Sequence, residues 1–217
     1  MNPRTIEDRL RSEYFDLLPH IRRVADEAET EVRYLLMPVM RNLESHEKIV
    51  IRSRVKDCES AIGALRRRPE YFRVDDPADD PPSLRLLKDL AGVRILAFPK
   101  HRVIEVDEAL RARFGDWTAD PVPPIPGTSN LFAFKYHGFC NPHCRVQAEI
   151  QLLSMLIGLF WEVEHGALHK PAERLRQIEI SARMQGHYTD VLRALSNFEE
   201  RFETIATATS QVATDAD

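Results

Sequence analysis

The stretch AEIQLLSMLIGLFWEVEHGALHK, residues 148–170, constrains the fold more than any other part of the chain. It is the most apolar segment, yet Glu149 and Gln151 stand at its entrance and Glu164, His165 and Lys170 at its exit. A membrane span needs about 20 predominantly apolar residues in a row. Here Gln151, Ser154, Gly158 and Glu162 break the run, so it reads as a buried strand feeding a helix over 153–168. A carboxylate at the mouth of such an element is costly unless it is paired or binds a metal. The position of Glu149 therefore asks for a polar cleft beside the core.

The rest of the chain can supply that core. At 217 residues it can bury roughly 70 % of its unfolded surface. The net charge of −4 excludes a broad, unspecific nucleic-acid surface, which is basic, but leaves room for a local basic pocket. The opening MNPRTIEDRLRSEY lacks the apolar segment of a secretory signal. Three cysteines make no disulfide framework. The expected location is the cytoplasm, without membrane attachment.

Residues 5–45 carry apolar side chains near helical spacing, among them Leu10, Leu17, Ile21, Val24, Val32 and Val39. Pro19 and Pro38 are expected to kink or divide that helix. IVIRSRVK, residues 49–56, alternates as a strand: Val50, Arg52, Arg54 and Lys56 on one face, Ile49, Ile51, Ser53 and Val55 on the other. A helix (CESAIGALRRR), an Asp- and Pro-rich loop over 70–83, a buried strand within 87–99 and the amphipathic helix HRVIEVDEALRARFG follow. ADPVPPIPGTSN, residues 119–130, is too rich in proline for regular structure. LFAFKYHGF and CRVQAEIQLL make a hairpin across the short connection CNPH. The last helix opens at Pro171 and runs to about residue 207, and the tail QVATDAD frays. The order predicts an α+β fold in three parts: a helical extension over 1–47, a mixed sheet with helices over 48–170, and a C-terminal helix and tail over 171–217.

Four groups of residues could carry chemistry. Asp89 and Glu149 each sit where polar sequence meets a core strand; two carboxylates at a sheet edge suit Mg²⁺, which takes oxygen ligands and shares itself with phosphates. Taken alone, their spacing fits two unrelated surface carboxylates as well. Arg52, Arg54, Lys56, Ser60, Arg66, Arg67, Arg68 and Arg94 form a basic set suited to a triphosphate and its metal, or simply to a solvated strand face and helix end. His137, Cys140, His143 and Cys144 are zinc-type ligands within eight residues. But the neighbours His143 and Cys144 point to opposite strand faces, so an ordinary hairpin is the plainer reading. Glu164, His165 and Lys170 cap the helix end. No Gly-rich phosphate loop of the GxxxxGK[ST] or GxGxxG type occurs.

In order, these pieces resemble the synthetase domain of the RelA/SpoT family. The matching residues are Arg54, Val55, Lys56 and Ser60 (R-V-K-x-x-x-S), Asp89 through Arg94 (D-L-A-G-V-R), Glu149 through Gln151 (E-I-Q), then Glu164 and His165 (E-H) and Lys170. The resemblance covers about residues 48–170. It implies a nucleotidyltransferase-like mixed sheet flanked by helices, and a GTP/GDP pyrophosphokinase that moves the β,γ-pyrophosphate of ATP to the 3′-hydroxyl of GDP or GTP, making the alarmone (p)ppGpp. It implies that Arg54 and Arg94 sandwich adenine, that Lys56, Ser60 and one of Arg66–Arg68 (Arg66 foremost) hold phosphates, and that Asp89 and Glu149 hold Mg²⁺. It implies that Glu149 contacts the metal, the acceptor hydroxyl or both, and so acts as or positions a general base, that Gln151 lines the acceptor side, and that Glu164 and His165 are structural or support the site from behind. No His-Asp dipeptide occurs, so the family's hydrolase motif is missing. The resemblance is to a small, single-domain synthetase, a group that commonly forms homo-oligomers through flanking helices.

The acceptor half departs from the family pattern. The family's acceptor loop carries a tyrosine that stacks on guanine; ADPVPPIPGTSN holds no aromatic residue, and Tyr136 is the nearest candidate. Where the family has a basic residue two places after the glutamine, this chain has Leu153. Two alternatives therefore stand beside (p)ppGpp synthesis: the same donor chemistry on an adenosine nucleotide or the 3′ end of tRNA, as in toxin members of the family, and a catalytically silent nucleotide-binding regulator.

Overall fold

Alternation on the strands and a helical stripe at the N-terminus generate the architecture. The computed structural model describes residues 3–68, 81–121, 133–168 and 177–214. Helix α1 (Pro3–Arg41) leads into strand β1 (Lys48–Val55) and helix α2 (Cys58–Arg66). A 3₁₀ turn (Leu84–Leu86), β2 (Ala91–Phe98) and α3 (Lys100–Arg113) follow. Then come β3 (Thr118–Pro121), β4 (Ala133–Gly138), β5 (Ala148–Ser154), α4 (Met155–Leu168) and α5 (Gln177–Thr214). The strands form one five-stranded sheet in the order β1-β2-β5-β4-β3. Only β2 and β5 run parallel; the other neighbours are antiparallel.

One face of the sheet is dry. Ile49, Ile51, Val93, Ile95, Ile150, Leu152 and Tyr136 are buried there in a single cluster with Leu17, Ile21, Val24 and Val32 of α1 and with Val106 and Leu110 of α3. Pro19 and Pro38 lie inside α1 without dividing it. Tyr14, Leu17, Ile21 and Val24 are all buried across the first of them, and burial of that stripe outweighs the lost backbone bond and the clash at each proline. Side chains of α1 also close the open edge of β1: the Ser53 N–H donates to Glu29 Oε2 at 3.0 Å and Arg33 donates to the Ile51 carbonyl at 2.7 Å. Each outward group bonded in this way is one fewer on which another strand could pair.

Several expectations need correction. The first residues of the Pro-rich stretch, 119–121, are not irregular: with Thr118 they pair with β4 as an edge strand, and Pro121 is tolerated because it ends that edge. The β4–β5 hairpin forms, but across residues 139–147 rather than CNPH alone. Helix α5 continues to Thr214 rather than ending at about residue 207. The loop over 69–80, the Pro-rich stretch over 122–132 and the expected start of the last helix at Pro171 lie outside the described residues. No helix among the described residues is long and apolar enough to cross a membrane.

Helix α5 seats on the end of β2 through Phe202, whose ring lies 4.9 Å from Phe98 and 5.5 Å from His46. Its Glu199 is 2 % exposed and accepts from the Ser154 hydroxyl. Burial pushes the Glu199 carboxyl above its ordinary value, against the Ser154 bond, the Leu156 backbone and the Lys100 charge. The folded protein therefore holds this proton to higher pH than the unfolded chain does, and stability falls as pH rises from about 4.5 through the raised value. Glu199→Gln keeps the acceptor for Ser154 and removes the ionisation. The expected result is a Tm about 2–4 °C higher than wild type at pH 8, the shift that ~1 kcal/mol produces in a chain of this size, with the difference vanishing near pH 4.5. Thermal unfolding at a series of pH values checks it.

Candidate active site

The opposite face of the sheet is polar, and register lines its residues up in rows. Arg54 pairs with Gly92, Gly92 with Glu149, Glu149 with His137 and His137 with Thr118. The next row holds Arg52, Arg94, Gln151, Lys135 and Asp120. Paired residues of a sheet point to the same side, so one face collects charges from all five strands. The third row turns apolar: Val50, Leu96 and Leu153 pack under Met155 and Trp161 of α4. Gly158 makes that approach close, since a Cβ there would run into the Leu96 side chain. Helix α4 thus folds back over the far end of β2 and β5 and roofs the apolar row.

Glu149 lies at the centre of this face and is only 4 % exposed. Its Oε2 accepts from the Gln151 amide at 2.5 Å. Its Oε1 lies 3.7 Å from Lys135 Nζ and 4.0 Å from His137 Nε2. His137 also faces Asp120 across the β3–β4 pair at 3.6 Å, and its Nδ1 is buried without a hydrogen-bond partner. The Gln151 Oε1 takes two bonds from Arg94, 3.1 Å from Nε and 2.9 Å from Nη2. Arg94 donates its remaining arm, Nη1, to Glu162 of α4 at 3.1 Å, and Arg52 approaches the other Glu162 oxygen at 3.9 Å.

A second cluster forms beside it, where β1 ends and β2 begins. Lys56 N–H donates to the Leu90 carbonyl at 3.0 Å, which ties the two chain segments together. The Lys56 ammonium donates to Asp89 Oδ2. Burial works to raise the Asp89 carboxyl, but the hydrogen bond and charge of Lys56, with the charges of Arg54 and Arg68, outweigh it and hold Asp89 below the ordinary carboxylate range. Its other oxygen, Oδ1, is buried with no hydrogen-bond partner. Gly92 serves the same corner: a Cβ there would lie 3.0 Å from the Glu149 carbonyl and 3.4 Å from Arg54 Cγ, so its bare backbone lets the Arg54 stem lie across the strand.

Of the expected residues, Arg54, Arg94, Glu149 and Gln151 share this face, and Lys56 and Asp89 form the cluster beside it. Others do not join them. Tyr136 points the other way: it is 1 % exposed in the core and its hydroxyl donates to Asp107 of α3. Burial first, then that bond, push its phenol well above the ordinary value. Its ring cannot reach an acceptor, because neighbours on a strand alternate faces and His137 takes the site side. Arg66 is turned to Glu7 of α1, while the charge of Arg68, just beyond the end of α2, acts on Asp89. Ser60 is exposed on the first turn of α2, where its N–H donates to the capping Asp57 at 2.9 Å. The side chains of Glu164 and His165, and Lys170 altogether, lie outside the described residues. Cys140 belongs to the α1 side: its thiol faces the Val24 carbonyl, and burial, ahead of nearby Cys144, Glu31 and Glu27, pushes it up to about 12.

Sequence reasoning missed Lys135 and Glu162, and it singled out His137 only among the zinc-type residues of the hairpin, not as a neighbour of Glu149. Lys135 and His137 were legible in principle, since once the hairpin is registered the alternate residues of KYH fall opposite Gln151 and Glu149. Nothing local marks Glu162.

The fold has solved counterparts. The crystal structure of small alarmone synthetase 1 from Bacillus subtilis superposes with a TM-score of 0.64 at 17 % identity, covering 92 % of this chain and 99 % of that one. The same protein bound to its product pppGpp matches at 0.65 and 18 %, covering 89 % and 96 %. Its complex with AMPCPP matches at 0.53 and 17 %, covering 88 % and 97 %. This chain has the fold of the small alarmone synthetases. The synthetase fold is shared nearly end to end although fewer than one residue in five is identical; no family model and no curated relative matches the chain. The nucleotidyltransferase-like mixed sheet flanked by helices is the architecture that the motifs imply.

Proposed function

We propose that this protein is a pyrophosphokinase that moves the β,γ-pyrophosphate of ATP to the 3′-hydroxyl of GDP or GTP, making (p)ppGpp. The observation that carries the reading is Glu149, a nearly buried carboxylate fixed on a polar sheet face between Lys135, His137 and the Arg94–Gln151 pair. Similarity of fold to a synthetase solved with pppGpp and with AMPCPP supports it.

Each residue has work to do in that reaction. Arg54 and Arg94 present guanidinium planes suited to stacking on the donor base. Lys56 and Arg68 neutralise its phosphates. Asp89 and Glu149 are the residues that would hold Mg²⁺, and the unpartnered, buried Asp89 Oδ1 fits a hard cation that takes oxygen ligands. Such an ion, when bound, neutralises charge on the transferred phosphates. Glu149 accepts the proton of the acceptor 3′-hydroxyl as its oxygen attacks the β-phosphorus; the bond from that phosphorus to the oxygen bridging to the α-phosphate breaks, and AMP leaves. Lys135 and His137, cationic or hydrogen-bonding groups beside Glu149, suit the phosphates of the acceptor. The reading also accounts for the carboxylate at the mouth of the apolar run: strand β5 sets Glu149 on the polar face of the sheet, among Gln151, Lys135 and His137.

One observation favours a different acceptor. Leu153, where the resemblance leads one to expect a basic residue, is buried under α4 with Leu96, so it cannot touch a nucleotide. The test is AMP formation from ATP and Mg²⁺ with GDP, GTP, ATP or tRNA as acceptor. Guanosine-dependent AMP together with a 3′-pyrophosphorylated product is the expected result. AMP with ATP or tRNA alone moves the assignment to that acceptor, and nucleotide binding without AMP in any tube moves it to a silent regulator.

A further inference from the structure

Glu162 belongs to none of the motifs, yet it holds the arginine at the middle of the site. Residues of a helix that roofs an apolar row have no need of a carboxylate at the edge of that roof. Glu162 nevertheless projects from α4 onto the polar rows, with Oε1 3.1 Å from Arg94 Nη1 and Oε2 3.9 Å from Arg52 Nη1. Arg94 then has Nε and Nη2 on Gln151 and Nη1 on Glu162. Three in-plane donors are thus anchored on two sides, which fixes the guanidinium plane. The same bonds settle the amide of Gln151. Its oxygen is occupied by Arg94, so its NH₂ is aimed at Glu149 Oε2, 2.5 Å away.

We propose that Glu162 is a positioning residue: it fixes the plane of Arg94 for the donor base and, through Arg94 and Gln151, sets the direction of Glu149. The proposal rests on the reading of the site as a pyrophosphokinase and assigns the coupling between its donor and acceptor halves to one continuous series of bonds, Glu162–Arg94–Gln151–Glu149. Binding and turnover then both depend on a residue that touches neither substrate.

The experiment compares wild type, Glu162→Gln and Glu162→Ala. Calorimetric binding of α,β-methylene ATP and steady-state AMP formation give the Kd, KM and kcat. Arginine-selective ¹⁵N spectra of the nucleotide-free protein report the Arg94 Nε–H signal and its exchange with water. Glu162→Ala is expected to raise both the Kd and the KM for ATP about tenfold, the size of a lost charge-assisted hydrogen bond, and to lower kcat several-fold. It should also move and de-protect the Arg94 Nε–H. Glu162→Gln retains an acceptor for Nη1 and is expected to stay within about threefold of wild type in KM, with the Arg94 signal preserved. Thermal unfolding confirms that both variants are folded. An unchanged KM in Glu162→Ala, or Glu162→Gln as impaired as Glu162→Ala, overturns the proposal; so does an Arg94 signal indifferent to the alanine. If wild type neither binds the analogue nor makes AMP, the pyrophosphokinase reading fails by itself, and the nucleotide-free spectra still decide whether Glu162 holds Arg94.

Discussion

Glu149→Gln is expected to lower kcat for AMP formation by about 10³-fold, within the range that removing a general base produces. The glutamine has nearly the same shape and still accepts from Gln151, whose amide lies 2.5 Å from Oε2 in the native protein. What it loses is basicity and charge. The site would still bind nucleotide, because Arg54, Arg94 and Lys56 stand on other strands or turns. The KM for ATP should therefore change much less than kcat, the pattern of an interaction made chiefly in the transition state. Steady-state AMP release read against the Kd for α,β-methylene ATP separates the two. A kcat within tenfold of wild type would remove Glu149 from the chemistry and leave it as a structural partner of Lys135 and His137.

Asp89→Asn should produce the second large loss, about 10²–10³-fold in kcat/KM, since Lewis-acid neutralisation of a transferring phosphate amounts to several kcal/mol. The loss should be partly recovered at high Mg²⁺ if weaker binding of the ion is its cause. A second consequence concerns stability. The native carboxyl is held below its ordinary value, so in the folded state it remains ionised to lower pH than in the unfolded chain. That stabilisation is complete above the unfolded value of about 3.8 and is lost as pH falls through the depressed folded one. In Asp89→Asn this part of the acid dependence disappears, and the largely buried Lys56 ammonium is left without its carboxylate, which costs about 1–3 kcal/mol of stability at neutral pH. Urea unfolding at pH 7 and at pH 3 checks the sign: the variant should be the less stable at pH 7, with the gap narrowing at pH 3. Full activity at ordinary Mg²⁺ would count against any role of Asp89 in holding the ion.

Local pattern determined a good deal of this protein. Period-two alternation in IVIRSRVK assigns Arg52 and Arg54 to one face and Ile49 and Ile51 to the other, and that is how β1 lies. The helical stripe of α1 is the stripe that packs on the sheet. Asp89 and Glu149 stand at junctions of polar and apolar sequence, and Arg94 and Gln151 follow from the D-L-A-G-V-R and E-I-Q motifs. Only tertiary structure could decide the rest. Alternation says that Tyr136 and His137 face opposite ways, but which of them meets Glu149 depends on the register of β4 against β5 and on the side that α1 and α3 cover. A slip of one residue would exchange their roles. Arg66 and Arg68 are chemically equivalent in sequence, and the approach of Glu7 from α1 takes the first while the fold leaves the second beside Asp89. Glu162 is the extreme case. It reaches Arg94 only because α4 doubles back over Leu96 at Gly158, and a contact between residues 68 positions apart is set by the path of the chain, not by its local composition.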